Sequence, residues 1–183
     1  MEKKNTLDIV LAFISAFFYI CGGAMTIVLC AVNNFTYTNM ILGIILICVS
    51  LIKIARWAMA KQFLNKYNLT FALSLASLVL GIIFLVNKVE IEKLCFVWGF
   101  YEITSSLIEI QLAVVEVKHN KLAIIEIAVE LATIVFGILL CIKLEEGLTG
   151  HLLFMSISLF MIAIMILLEV APELKKNKED KHE

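Results

Sequence analysis

Six apolar runs, each close to the length of one membrane crossing, leave this chain few ways to fold. They are Ile9–Val32, Met40–Trp57, Leu69–Val86, Leu94–Val115, Leu122–Ile142 and Leu152–Ala171. A crossing takes about 20 mainly apolar residues. The connections NNFTYTN, AMAKQFLNKYN, NKVEIEK, EVKHNK and KLEEGLTGH are short and polar. In hydrocarbon the backbone must satisfy its own hydrogen bonds, and runs of this length without alternating polarity do so only as helices. The expectation is an all-α, polytopic membrane protein with six transmembrane helices. Composition agrees: 62% of residues are hydrophobic and 17% charged, against about 45–50% and about 25% in soluble domains. The first run is 24 residues long and lacks an A-x-A site. It therefore reads as a retained span, because a signal peptide has an apolar region of only about 7–15 residues.

Orientation follows from lysine and arginine. With the N-terminus on the cytoplasmic side, the inner set is Lys3, Lys4, Lys53, Arg56, Lys61, Lys66, Lys118, Lys121, Lys175, Lys176, Lys178 and Lys181. The outer set is Lys88, Lys93 and Lys143. Cytoplasmic loops carry the excess of positive charge, so both termini should be cytoplasmic. The segment PELKKNKEDKHE begins at Pro172 and reads as a solvated, mobile tail over 173–183. The net charge of −1 does not bear on partners, but a nucleic-acid binder would need a basic face, which is absent.

An offset of 56 residues overlays the chain on itself in two places. Ala72, Leu75, Ala76, Val79, Gly81 and Ile82 fall on Ala128, Leu131, Ala132, Val135, Gly137 and Ile138. Gly43, Ile47, Ser50, Leu51, Ile52 and Ile54 fall on Gly99, Ile103, Ser106, Leu107, Ile108 and Ile110. The expected architecture is three helical-hairpin repeats of about 56 residues, over 9–57, 69–115 and 122–171. An offset of two helices makes the repeats parallel, unlike the inverted repeats of many carriers.

Four glutamates lie inside the fourth and fifth runs: Glu102, Glu109, Glu126 and Glu130. A charge at the bilayer centre costs on the order of 2.5–3.5 kcal/mol even on a mild insertion scale, so these side chains should face inward. Glu102 and Glu109 share one helix face, as do Glu126 and Glu130. At 1.5 Å per residue, Glu109, Glu126 and Glu130 lie at one depth near the inner surface and Glu102 lies near the midplane. The 56-residue offset puts Lys53 at the place of Glu109, so Lys53 can join them; Thr70 and Ser74 take the places of Glu126 and Glu130. Two readings stand side by side. Protonated or hydrogen-bonded carboxyls serve as glue between helices, with Lys53 and Arg56 snorkelling to the headgroups. Alternatively the cluster Glu102, Glu109, Glu126, Glu130 and Lys53 handles protons or ions.

Other residues carry less. Gly22, Gly23, Gly43 and Gly99 allow close helix approach. Tyr19, Tyr37, Trp57, Tyr67 and Trp98 read as interfacial aromatics. The five cysteines form no C-x-x-C pair, and a disulfide among Cys30, Cys95 and Cys141 stays open. His119 and His151 fall at opposite ends and cannot share a metal. No H-E-x-x-H, G-x-S-x-G or phosphate loop occurs, so neither an enzyme nor a cofactor is expected.

The segments L-G-I-I-F-L-V-N-K (Leu80–Lys88) and W-G-F-Y-E-I-T-S-S-L-I-E-I (Trp98–Ile110), within the three-hairpin pattern over residues 9–171, resemble the short-repeat membrane family that includes the acid-resistance protein HdeD. The resemblance implies a multi-pass protein of the bacterial cytoplasmic membrane. It implies a non-enzymatic stress or accessory role, with the lipid bilayer as its surroundings and no established substrate. The other reading is a small proton- or ion-coupled transporter or channel using the intramembrane glutamates. Six helices in 183 residues leave little room for a pore in one subunit, so a pore would call for a homo-oligomer.

Overall fold

A computed structural model describes residues 6–32, 37–59, 65–86, 90–117, 122–142 and 147–179. Lys3, Lys4, Lys61, Lys88, Lys118, His119, Lys121, Lys143 and Lys181 lie outside the described residues, as do parts of every connection. The side chains of Lys66, Tyr67, Thr70, Lys175, Lys176 and Lys178 also lie outside them.

Among the described residues the chain is all-helical: α1 (Thr6–Ala31), α2 (Thr38–Met59), α3 (Asn65–Val86), α4 (Ile91–Glu116), α5 (Leu122–Cys141) and α6 (Gly147–Glu179). Helices α1, α2, α5 and α6 each hold a stretch long and apolar enough to cross a membrane. The apolar part of α3 is shorter, Phe71–Val86. In α4 the glutamates lower the apolarity, although its 26 residues rise about 39 Å, enough to cross a bilayer about 30 Å thick. Helix α6 continues through Pro172 to Glu179, so the charged tail is helical over most of its length. Its Glu, Leu and Lys residues are strong helix formers.

Apolar side chains cover the outside, among them Phe17, Val28, Leu51, Val79, Phe100 and Val135. The interior mixes apolar residues with small polar ones. Many of the buried hydroxyls are spent within their own helix: Thr26, Ser50, Thr133 and Ser156 each donate to the carbonyl four residues back. This is how Ser and Thr enter an apolar helix bundle without an unpaired donor.

The closest helix pairs are α4 with α5, α1 with α6 and α2 with α3. Helices α3 and α4, which share the hairpin division 69–115, scarcely touch. Glycine sets the partners. A Cβ on Gly43 would stand 2.9 Å from the Gly81 carbonyl oxygen, and one on Gly81 would stand 3.0 Å from that of Gly43. Gly99 and Gly137 repeat the arrangement at 2.5 and 2.9 Å. Gly81 also meets Ile47, as Gly137 meets Ile103. On α1, Gly22 faces Ile45 of α2 while Gly23 faces Phe160 and the Ser156 carbonyl of α6. Small residues thus hold backbones together where lipid supplies no hydrophobic drive between helices.

At one end of the bundle, Arg56 Nε donates to Asp8 Oδ1 at 2.6 Å and Nη2 to Glu169 Oε1 at 3.3 Å. The start of α1 and the end of α2 are joined there to the later part of α6, with Asp8 at a helix N-terminus and Arg56 at a C-terminus as their dipoles favour. Arg56, which the sequence suggests snorkels to the headgroups, is tied into an ion-paired network. At the opposite end, exposed Lys93 pairs with Glu90 at 2.8 Å. The pairing holds the Glu90 carboxyl below its ordinary range. All five cysteines are free thiols. Cys30 and Cys141 instead face the carbonyls of Thr149 and Phe96.

Candidate functional site

Glu102 is the most enclosed carboxyl among the described side chains of α4. It sits halfway along the helix, 0% exposed, with Trp98 one turn away and equally enclosed. Residues four apart share a helix face, which lets Trp98 Nε1 donate to Glu102 Oε1 at 2.5 Å. The second carboxyl oxygen, Oε2, is buried without a hydrogen-bond partner. Ser158 of α6 faces the same carboxyl, but its hydroxyl proton goes to the Met155 carbonyl at 2.8 Å. The Ser158 oxygen can therefore accept a hydrogen bond from the carboxyl and has no proton left to give. An ionised carboxylate with no cation at hand would be costly in such a place. The arrangement suits a carboxyl that carries its own proton.

Toward the Asp8 end the network continues. Tyr19 of α1 is 3% exposed, hydrogen-bonds Lys53 of α2, and lies within electrostatic reach of Tyr101 and Glu102. The ammonium of Lys53 is also within reach of Tyr101, Glu109 and Arg56. Glu130 of α5 hydrogen-bonds Ser106 and is in the field of Glu109, Lys53 and Glu126. It is also the charged neighbour of Glu102. Every residue expected in the cluster, Lys53, Glu102, Glu109, Glu126 and Glu130, thus belongs to one connected region. Four helices supply it, with Ser158 added from α6.

Three side chains differ from what their sequence positions suggest. Tyr19 and Trp98 read as interfacial aromatics, yet both are interior and each serves a member of the cluster. The signal for Trp98 was present, a Trp and a Glu at i, i+4 on one helix face. Lys53 does not simply reach for the headgroups, because its ammonium turns to Tyr19. In the neighbouring pair α2–α3, Ser50, the offset-equivalent of Ser106, shares a hydrogen bond of 2.5 Å with Ser77, whose own equivalent is Thr133. His151 is buried on α6 against the Ile142 carbonyl at 3.0 Å. Among the described residues no group of His, Cys, Asp and Glu side chains is placed to hold a metal ion.

On the far side of Glu102 the character changes. Leu94, Cys95, Trp98, Leu140, Leu152 and Met155 are all buried there. The polar network reaches the bundle's middle from one end and meets a mainly apolar layer, in which Thr26, Thr38, His151 and Ser156 are also buried. Comparison of the chain with family models, curated proteins and solved structures finds no match.

The lone oxygen of Glu102 makes a specific prediction. Glu102→Gln should fold at neutral pH with a melting temperature equal to or above the parent's. The amide oxygen can still accept from Trp98, while its NH2 gives Ser158 a donor in place of the orphaned oxygen. A thermal melt in detergent checks it. A loss of several degrees would mean that the carboxyl has a partner the amide cannot replace.

Proposed function

We propose that this chain is a six-span, non-enzymatic protein of the bacterial cytoplasmic membrane. Its interior acid–base cluster takes up protons from the cytoplasmic side and passes them no further. Such a protein fits a stress or accessory role of the kind the resemblance to the HdeD-like family implies. The observation that carries this reading is Glu102, a wholly buried carboxyl with one unpartnered oxygen, at the blind end of a network of Lys53, Tyr19, Tyr101, Glu109, Glu126 and Glu130. Intramembrane ionisable groups are functional candidates by default. Beyond Glu102 the buried hydroxyls of Thr26 and Ser156 donate to their own helix backbone, which favours a sensor over a conduit.

The three-repeat architecture belongs to the same proposal. The Gly43–Gly81 and Gly99–Gly137 contacts are equivalent under the 56-residue offset. A further step of the offset puts α6 in the role of α2 and α4, and α1 in that of α3 and α5. The close α1–α6 pair then supplies the third unit by joining the last helix to the first. The positive-inside bias supports cytoplasmic termini.

An infrared titration of the carboxyl stretch in vesicle-reconstituted protein tests the function. A band that titrates between about pH 5 and 8, the range useful to a working acid–base group, and that is lost in Glu102→Gln or in the fourfold Glu→Gln variant is the expected result. A carboxyl signal constant through that range would leave the glutamates as glue between helices. Proton flux across the same vesicles, lost in Glu102→Gln, would overturn the sensor reading in favour of an ion-coupled transporter.

A further inference from the structure

Two helix pairs face each other across Glu102, and each is closed by its own glycine contacts. Gly99 of α4 meets the Gly137 carbonyl of α5, while Gly23 of α1 meets Phe160 and the Ser156 carbonyl of α6. Toward the Lys93 end, α6 is joined to α5 by the rings of Phe136 and Phe154, 6.1 Å apart, and by His151 on the Ile142 carbonyl at 3.0 Å. At the middle of the bundle, α6 meets α4 where Ser158 faces the Glu102 carboxyl. Both residues are 0% exposed. An indole N–H only donates, so Trp98 makes Glu102 Oε1 an acceptor and leaves the proton of the acid to Oε2. The Ser158 hydroxyl has given its hydrogen to the Met155 carbonyl at 2.8 Å. As that hydroxyl stands, its oxygen accepts a bond from the acid. A carboxylate would set lone pairs against lone pairs in an interior where an unmade bond is costly.

We propose that the proton on Glu102 is a latch between α4 and α6, and that its loss lets the α1–α6 pair part from the α4–α5 pair at Ser158. The inference rests on the proton-uptake reading above and names what uptake moves. The titratable groups around the carboxyl come from three other helices. Tyr19 of α1, hydrogen-bonded to Lys53 of α2, lies within its field, as do Glu130 and Cys141 of α5. An ionised Glu102 is repelled by an ionised Glu130 and drawn toward the positive charge of Lys53. Neither interaction restores a bond to α6. The Phe136–Phe154 and His151–Ile142 contacts hold the Lys93 end, so the seam opens toward the Asp8 end, from which the polar network begins.

Glu102→Gln is the closed control, because its NH2 donates to Ser158 at every pH. Amide hydrogen exchange along α6 is followed by mass spectrometry in the full chain in lipid nanodiscs. Variants are compared at one pH, so that the intrinsic pH dependence of exchange cancels. Above the midpoint of the carboxyl infrared band, the parent should exchange several-fold faster than Glu102→Gln around Ser158. Below it the two should match. Ser158→Ala keeps the carboxyl and removes the acceptor, so it should exchange several-fold faster than the parent on the acid side. Parent and Glu102→Gln exchanging alike on both sides, while the band still titrates, would overturn the latch alone. That is the result if the Ser158 hydroxyl turns to donate to the carboxylate. Ser158→Ala exchanging no faster than the parent in acid would also overturn it. A band that stays constant with pH would overturn the proton-uptake reading, and the latch with it.

Discussion

Gly99→Val is expected to loosen the bundle more than any other single change at a helix contact, lowering the melting temperature in detergent by roughly 5–10 °C. A Cβ at Gly99 would meet the Gly137 carbonyl oxygen at 2.5 Å and Leu140 Cβ at 2.8 Å. Neither atom can rotate away, since one is backbone and the other is fixed to it. The helices must separate or slide. Overpacking of this kind costs about 1–3 kcal/mol, and in a chain of this size each kcal/mol is worth about 2–4 °C. Gly43→Val should do the same to α2–α3, where the Gly81 oxygen stands at 2.9 Å and Leu85 Cγ at 2.8 Å. The Leu85 side chain can yield, so the effect should be smaller. Ala128→Val, at an exposed position, serves as the control. A melting temperature unchanged in Gly99→Val would mean that α4 and α5 do not approach as closely as these contacts require.

These glycines also mark how far sequence reasoning reaches. The helices were legible because long apolar runs without alternating polarity admit one backbone solution. Counting residues back from a turn puts Glu109, Glu126 and Glu130 at one depth, and the 56-residue offset puts Lys53 at the place of Glu109. Partner choice was harder. Chain adjacency suggests that α3 returns against α4, but the facing glycines bring α3 to α2 and α4 to α5, leaving the α3–α4 seam open as a groove. Gly43, Gly81, Gly99 and Gly137 were all visible in the repeat; what they touch was not.

The direction of a side chain was harder still. Trp98 lies about 10 Å along α4 from its start at Ile91, a depth that suits an interfacial ring as well as an interior one. Only the carboxyl one turn on distinguishes the two. Tyr19 carries no such mark, because its partner Lys53 is on another helix and their meeting depends on how α1 packs against α2. The same holds for Asp8, Arg56 and Glu169. Each falls near the same end of the apolar runs in the sequence, so their common level along the bundle is readable. Their ion pairing depends on the lateral order of α1, α2 and α6.

Removing the cation from the interior should expose how much the cluster relies on it. Lys53→Met is expected to destabilise the protein by about 1–3 kcal/mol at neutral pH, between an exposed pair and a fully buried one, because Lys53 and Glu109 are both half-buried. Tyr19 would also lose its hydrogen-bond partner. Glu109 and Glu130 would remain without the positive field of Lys53. Protonating the carboxyls removes the penalty, so the deficit should shrink as the pH falls and grow again as it rises. The double variant Lys53→Met/Glu109→Gln should recover part of the loss at neutral pH. A double-mutant cycle, with melting measured at pH 5 and pH 8, isolates the Lys53–Glu109 coupling. If Lys53 merely snorkelled to the headgroups, methionine would be tolerated with no pH-dependent deficit and the double variant would be additive. A deficit that disappears in acid and couples to Glu109 would mean that Lys53 compensates the interior carboxylates, which a proton-responsive cluster requires.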